Sequence, residues 1–574
     1  MKTMKSSVEL DKMLMSINRK GYPAYKELKG SYQFAGFVLH IDHVQGDPFA
    51  APSKLSIQVK KDQAGFPLTM YDTDYKRIAL QDHLTRLFTK SVSSYTFQAK
   101  GSGKSGLIGI SRCGQEILER TAFKIENGDL LVRFEVGFPA NGRTINAYEL
   151  KKILFEYLPD AVKKSLFYEN INKNEVRRVV ELAEDQHTIR EELIRRHLVA
   201  FVANGSVLPR ESGISQRPMK NAVKFQSPAS MEVEMKLPYA GLVKGMGIPK
   251  GITLIVGGGY HGKSTLLKAL EHGIYNHIAG DGREYVITDD TAVKIRAEDG
   301  RAVSHVNISP FINDLPNKKN TVDFSTEDAS GSTSQAANVV EAVQSGAKTL
   351  LIDEDTCATN FMVRDCLMQT VVSGDKEPIT PFTLQARELN EKHGISIVLV
   401  AGSSGSYFYI ADKILQMDNY QTFDITEKVK KVIAKVPEDN MEAETKIPIS
   451  VIFDKDKFRR IARSKRLDKK RDQVKIKQFG KDSFSIGKDA VDLKYVEQIL
   501  DSEQTTTLSH CLKYLLEQME RQEQNVDVLV EKLWNQLRIC GLEFLCQGTY
   551  IPSGMAQIRK QDIYACVNRY RGLL

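Results

Sequence analysis

Gly257-Gly258-Gly259-Tyr260-His261-Gly262-Lys263-Ser264 has the spacing GxxxxGK[ST], set between an apolar run at 251–256 and a helix-like segment beginning Thr265-Leu266-Leu267. Glycines let successive backbone N–H groups turn towards one anion, and the N-terminus of the next helix adds its dipole. In that setting Lys263 puts a point charge on the β- and γ-phosphates of a nucleotide, and the Ser264 hydroxyl suits Mg²⁺. Gly257 to Thr265 is therefore the candidate phosphate cradle. Farther on, Thr349-Leu350-Leu351-Ile352-Asp353-Glu354 is an apolar strand ending in two carboxylates. Asp353 suits the metal, and Glu354 suits a general base that orients and deprotonates an attacking water. Together the motifs predict a P-loop enzyme that hydrolyses ATP to ADP and phosphate with Mg²⁺.

Between them lies Ala329-Ser330-Gly331-Ser332-Thr333-Ser334-Gln335, followed by a helical stretch at 336–344. This resembles the Ser-Gly-Gly signature of ABC ATPases, whose serine lies as far before the Walker B aspartate as Ser330 lies before Asp353, 23 residues. Cys357-Ala358-Thr359-Asn360 falls at the D-loop position, and Ile410-Ala411-Asp412-Lys413-Ile414-Leu415 resembles the last strand of such cassettes. A small turn on a helix N-terminus can approach a γ-phosphate closely. In ABC cassettes that turn comes from the opposite subunit. The resemblance thus implies a head-to-tail homodimer in which Ser330, Gly331 and Ser332 complete the partner's site. Three departures stand out. No histidine occupies Ala401-Gly402-Ser403-Ser404-Gly405, where a switch histidine is expected. No Q-loop glutamine is evident near 306–313, where Asn313 stands, and Asp355 replaces the usual proline after the base. Slow hydrolysis is expected, with a nucleotide-gated scaffold of negligible turnover as the alternative.

The similarity extends to Asp281-Gly282-Arg283-Glu284-Tyr285, to the run from His43 to Pro52, to Lys100-Gly101-Ser102-Gly103-Lys104-Ser105-Gly106 and to Ser206-Val207-Leu208-Pro209-Arg210. With the motifs above, these resemble the family called "predicted ATPase of the ABC class" over most of residues 20–420. The resemblance implies a stand-alone ATPase of three regions, with RNA or another nucleic acid as a suspected partner.

The positioning elements follow from periodicity. Residues 1–240 read as an α+β region, with strands at 34–41, 94–98, 106–110 and 130–136, and helices at 75–87 and 175–201. Residues 204–230, interrupted by Pro209, Gly213, Pro218 and Pro228, read as a long connector. The segment 241–427 alternates strands (252–256, 285–288, 349–352, 395–400, 413–417) with helices (263–272, 335–344), an α/β pattern built on a largely parallel sheet. Residues 428–574 read as a polar linker and a basic, mostly helical region, with Leu508, Leu512, Leu515, Leu516 and Met519 on one helix face.

Composition sets outer limits. The 574 residues are 41% hydrophobic and 26% charged, an ordinary globular balance, and no apolar run reaches membrane-spanning length. Seven scattered cysteines without a CxxC pair read as reduced thiols, so a cytoplasmic location is expected. From Lys455 to Lys481 there are 13 Lys/Arg against three Asp, a local charge larger than the +8 of the whole chain. Such a run attracts a polyanion through counterion release, or is a solvated or acid-paired face. Lys100 to Arg112 carries a second basic feature, readable as a phosphate-touching loop or a plain β-turn.

Overall fold

The computed structural model describes residues 4–573 except 365–376, 436–445, 455–459, 465–468, 471–472, 521, 547 and 549. By packing, the chain forms two compact units: Met1–Glu184 with Cys540–Gln557, and Asp185–Ile539 with Ile558–Leu574.

The first unit is built on an antiparallel sheet whose core strands, β1 (Gly30–Phe34), β2 (Phe37–His43), β3 (Ser53–Val59) and β4 (Asp129–Val136), pair in that order. The strand expected over 34–41 divides into β1 and β2 because Gly36, at φ 86°, turns the chain there. Helix α1 (Asp74–Ser93) runs past its expected end. Leu80, Leu84, Phe88 and Val92 continue one buried stripe at four-residue spacing, so 94–98 becomes a turn and not a strand. The glycine-rich Lys100–Gly106 segment is a turn fastened by backbone. Ser102 N–H donates to Ala140 O at 2.7 Å, and Lys104 N–H to Pro48 O at 2.9 Å.

The second unit holds two principal sheets. Helix α2 (Lys173–Arg195), which belongs to this unit only from Asp185 on, stops before 201. The residues that follow, β5 (Leu198–Ala203), are apolar on both faces and lie between two antiparallel partners. With β6 (Glu232–Leu237), β7 (Gly241–Pro249) and β9 (Val286–Thr288), β5 makes a sheet ordered β6-β7-β5-β9. The expected strand at 285–288 thus belongs here and not to the parallel core. That core comprises β8 (Ile252–Val256), β10 (Val293–Ile295), β11 (Thr349–Asp353), β12 (Ser396–Val400) and β13 (Lys413–Asp418), with β14 (Gln421–Asp424) antiparallel at one edge. Its order is β10-β11-β12-β8-β13-β14. β11 and β12 are buried throughout, which explains their unbroken apolar sequences. Helix α3 (Lys263–His272) packs on β11 and β12.

Helix α4 (Gly331–Gln344) is almost wholly buried, including Asn338 and Glu341. Its polar side chains are met by arginines: Arg301 pairs with Glu341 and Asn338, and Arg569 with Glu298 and Asn338. Arg569 follows helix α6 (Lys560–Asn568), which packs on α5 (Ser502–Met519) and on α4. On α5 the five predicted apolar positions are all buried. The linker expected from 428 begins inside a helix, Thr426–Ile433. No helix among the described residues is long and apolar enough to cross a membrane.

Candidate nucleotide site

β8 ends at Val256, and the chain turns through Gly257–Gly262 into α3. Gly262 is the N-cap of α3 at φ 99°, and a Cβ there would stand 3.0 Å from the Tyr420 ring. Tyr260 is also left-handed, at φ 64°, and fully exposed. The turn between β13 and β14 braces this loop. Asn419 N–H donates to His261 Nδ1 at 2.9 Å, and Tyr420 N–H to His261 O at 3.2 Å. Lys263 Nζ donates back to Gly257 O and Gly258 O, at 2.8 and 2.9 Å. Ser264 is exposed and Thr265 half-buried on the first turn of α3.

Sheet order decides what faces this loop. β12 lies between β8 and β11, and Val400, its last residue, is level with Ile255 on one side and Asp353 on the other. The chain leaving β12 therefore emerges between the phosphate loop and the two carboxylates, at the C-terminal edge where parallel α/β sheets take their ligands. A Cβ on Gly402 would lie 3.7 Å from Lys263 Nζ. On the other flank, Gly402 N–H and Ser403 N–H donate to Glu354 Oε2 at 2.7 and 3.1 Å, and Ser403 Oγ donates to Oε1 at 2.6 Å. Tyr407, buried just beyond, has its phenol pKa raised by burial and by the Glu354 charge.

Asp353 is buried at the end of β11, and one of its oxygens accepts the Asp355 N–H at 3.3 Å. Among the described residues no three His, Cys, Asp or Glu side chains converge as a metal cage. Asp353 and Ser264 are oxygen donors of the kind Mg²⁺ takes, an ion that keeps several waters and shares phosphate oxygens.

Ser330 caps α4: its Oγ accepts the Thr333 N–H and lies 2.9 Å from Thr333 Oγ1. Ser332 Oγ donates to Asn360 Oδ1 at 2.8 Å, and Ala358 N–H to Gln335 Oε1 at 2.8 Å, so the signature turn and the segment after Glu354 are stitched together. A Cβ on Gly331 would meet Asp299, Ala297 and Ala358, none of them in the phosphate loop. The structure thus brings Lys263, Glu354 and Asp353 to one sheet edge and leaves Ser330 and Gly331 with other neighbours. Asn313 is buried, donating to Ser309 O.

Two of the shared motifs are structural. Arg210 Nη2 pairs with buried Asp281 at 2.7 Å, His277 Nδ1 lies 2.8 Å from the same carboxylate, and Val207 N–H donates to Gly282 O at 2.8 Å. Burial would raise the Asp281 pKa, but His277 and Arg210 hold it below the usual range. Of the basic run from Lys455 to Lys481, a large part lies outside the described residues. Arg460 is buried at 1% exposure against Asn568, a correction to its expected place on a polyanion surface, whereas Arg463, Lys475, Lys477 and Lys481 are exposed.

What sequence reasoning missed is the role of Gly402, Ser403 and Tyr407. The loop itself was located by the absence of histidine, but only the strand order shows what it touches.

Residues 172–452 match the model of the ABC-class ATPase P-loop domain, residues 7–169 that of the N-terminal domain of ATPases of the ABC class, and residues 475–574 that of the MRB1590 C-terminal domain. Uncharacterized protein MJ1628 of Methanocaldococcus jannaschii is 30% identical over 247 residues, 41% of this chain and 54% of its own length. The chain therefore spans about half of that curated relative. Two solved cassettes are also similar. MJ1267, an ATP-binding cassette of an ABC transporter in its ADP conformation, is 13% identical with TM-score 0.25, over 42% of this chain and 96% of its own. cbiO1 of Clostridium perfringens, part of the ABC transporter complex cbiONQ, is 14% identical with TM-score 0.23, over 42% and 92%. With the first two family models spanning most of 7–452 and the phosphate loop and paired carboxylates on one parallel sheet edge, the chain belongs to the ABC-class ATPases.

Proposed function

We propose that this protein hydrolyses ATP slowly at a site completed by a second copy of itself, and that nucleotide state governs its grip on a polyanion, RNA or another nucleic acid. The observation that carries the reading is the division of parts. Lys263 and Glu354 flank one loop, while the signature turn at Ser330, Gly331 and Ser332 meets Asp299, Ala358 and Asn360, none of them in the phosphate loop. A single copy with one phosphate loop and one signature turn assembles half a site.

In this reading the 257–262 backbone and Lys263 bind the phosphates, and Lys263 exchanges its two carbonyl partners for phosphate oxygens. Ser264 and Asp353 would hold Mg²⁺, which supplies neutralisation of phosphate charge. Glu354 accepts a proton from the water whose oxygen bonds to the γ-phosphorus as the bridging bond to ADP breaks. No histidine stands in the 401–405 loop and no glutamine at 306–313, and this favours slow turnover and keeps the non-hydrolysing scaffold as a second reading.

The test is Glu354→Gln with ATP and Mg²⁺. It should bind ATP, lose hydrolysis about 10²-fold or more, and accumulate as a dimer in light scattering. A variant that hydrolyses normally overturns the base assignment, and a monomer in every nucleotide state overturns the shared site. Wild-type turnover equal to Lys263→Ala with ATP binding retained selects the scaffold. Polyanion binding is read by RNA titration at rising salt, with affinity expected to fall steeply. No affinity at low ionic strength removes that part alone.

A further inference from the structure

We propose that Ser403 is the positioning residue of Glu354, with Tyr407 as its second support, the carboxylate being aimed by one hydroxyl and two backbone amides. The inference rests on the reading of Glu354 as the base and adds what aims it.

A general base must meet its water within hydrogen-bond reach, so its carboxylate plane has to be fixed. At Glu354 the fixing is bidentate. Oε2 takes the Gly402 and Ser403 N–H groups, and Oε1 takes the Ser403 hydroxyl. Two contacts to backbone and one to a side chain on consecutive residues leave the carboxylate no free rotation while they last. The same loop touches Lys263 through Gly402, so the base is set against the group that holds the phosphates. By sheet order β12 stands between β8 and β11, so the loop that leaves it emerges between these two side chains.

Tyr407 supplies the independent observation. It is fully buried at the end of this loop, and its hydroxyl faces the Glu354 carboxylate without completing a well-formed hydrogen bond to it. A buried hydroxyl whose hydrogen bond is incomplete is costly and needs a reason. Burial and the neighbouring negative charge keep it protonated, so it remains a donor. It is the group left to hold Glu354 when the carboxylate exchanges the Ser403 hydroxyl for the attacking water.

The experiment compares steady-state ATP hydrolysis by the full-length wild type, Ser403→Ala, Ser403→Thr and Tyr407→Phe. Ser403→Ala should lower kcat about tenfold with KM for ATP changed less than about twofold, and Ser403→Thr should recover most of the loss. In a Glu354→Asp background, whose shorter carboxylate cannot reach the loop, Ser403→Ala should cost less than about twofold, because both changes break one interaction. Tyr407→Phe should lower kcat about threefold while the melting temperature stays the same or rises, since no well-formed hydrogen bond is lost. An active wild type with Ser403→Ala at full kcat, or losses that multiply in the double variant, overturns the inference alone. Wild-type hydrolysis no faster than Lys263→Ala overturns the underlying assignment and this inference with it.

Discussion

At Gly262 the backbone must be left-handed, and the Tyr420 ring closes the space where a side chain would go. An L-residue there costs about 1–2 kcal/mol in backbone strain alone and must push the Tyr420 turn off His261. Gly262→Ala is therefore expected to weaken nucleotide binding about tenfold or more by calorimetric titration. Lys263→Ala should go further, since it removes the only cation the loop itself carries, and should abolish measurable ATP binding. Both effects are local, and both residues were legible in the sequence for that reason. A phosphate loop is defined by spacing along eight consecutive residues and a strand–turn–helix setting, and nothing distant has to be known. Tyr420 is different. It is 158 residues beyond Gly262 and reaches the loop only because β13 lies beside β8.

At the scale of an element, α4 carries two tasks that separate cleanly. Its start is capped by Ser330, and its body is a buried helix bearing polar groups at Asn338 and Glu341. Losing the cap costs about 1 kcal/mol of stability. Ser330→Ala should therefore lower the melting temperature only slightly, while ATP hydrolysis and ATP-dependent dimer formation fall far more if the turn completes a partner's site. Hydrolysis that falls only in proportion to stability would make Ser330 a cap and nothing more. The helix was legible from 335 to 344; its first turn was not separable from the Ser-rich loop before it, because Ser and Gly favour caps and turns as readily as helix starts. In the first unit, α1 overran its expected end for a related reason. Val92 is one more four-residue step on the buried stripe, and a short apolar segment at 94–98 reads equally as a strand.

Across the second unit, the chain's last helix is wired to the signature helix by buried charge. Arg569 pairs with Glu298, both nearly inaccessible, and Arg301 pairs with Glu341. Burial by itself would raise the Glu298 pKa, but Arg569 and Arg301 hold it below the usual carboxylate range. A depressed native pKa adds stability that is present above the unfolded value, about 4.3, and is lost as pH falls through the lower native value. Acid titration followed by circular dichroism should therefore show a destabilisation beginning below about pH 4.3 that is smaller in Glu298→Gln, the other depressed carboxylates supplying the remainder. Arg569→Met takes from buried Glu298 its salt-bridge partner, leaving Asn338 Nδ2 and the charge of Arg301, and should destabilise the fold by about 3 kcal/mol in urea denaturation. Among the described residues of the basic run, Arg463, Lys475, Lys477 and Lys481 are exposed and belong to the same unit as the phosphate loop.

Sequence by itself determined the phosphate loop, the paired carboxylates of β11, the signature turn and the apolar strands of a parallel sheet, because each is a pattern within a few consecutive residues. Tertiary structure decided which strand stands between the two motifs. With β12 placed between β8 and β11, a five-residue loop without any histidine comes to touch Lys263 on one side and to hold both oxygens of Glu354 on the other. Strand order has no local signature, since buried parallel strands are interchangeable runs of the same apolar residues, and so the chemistry of Ser403 and Tyr407 became readable only once the sheet was assembled.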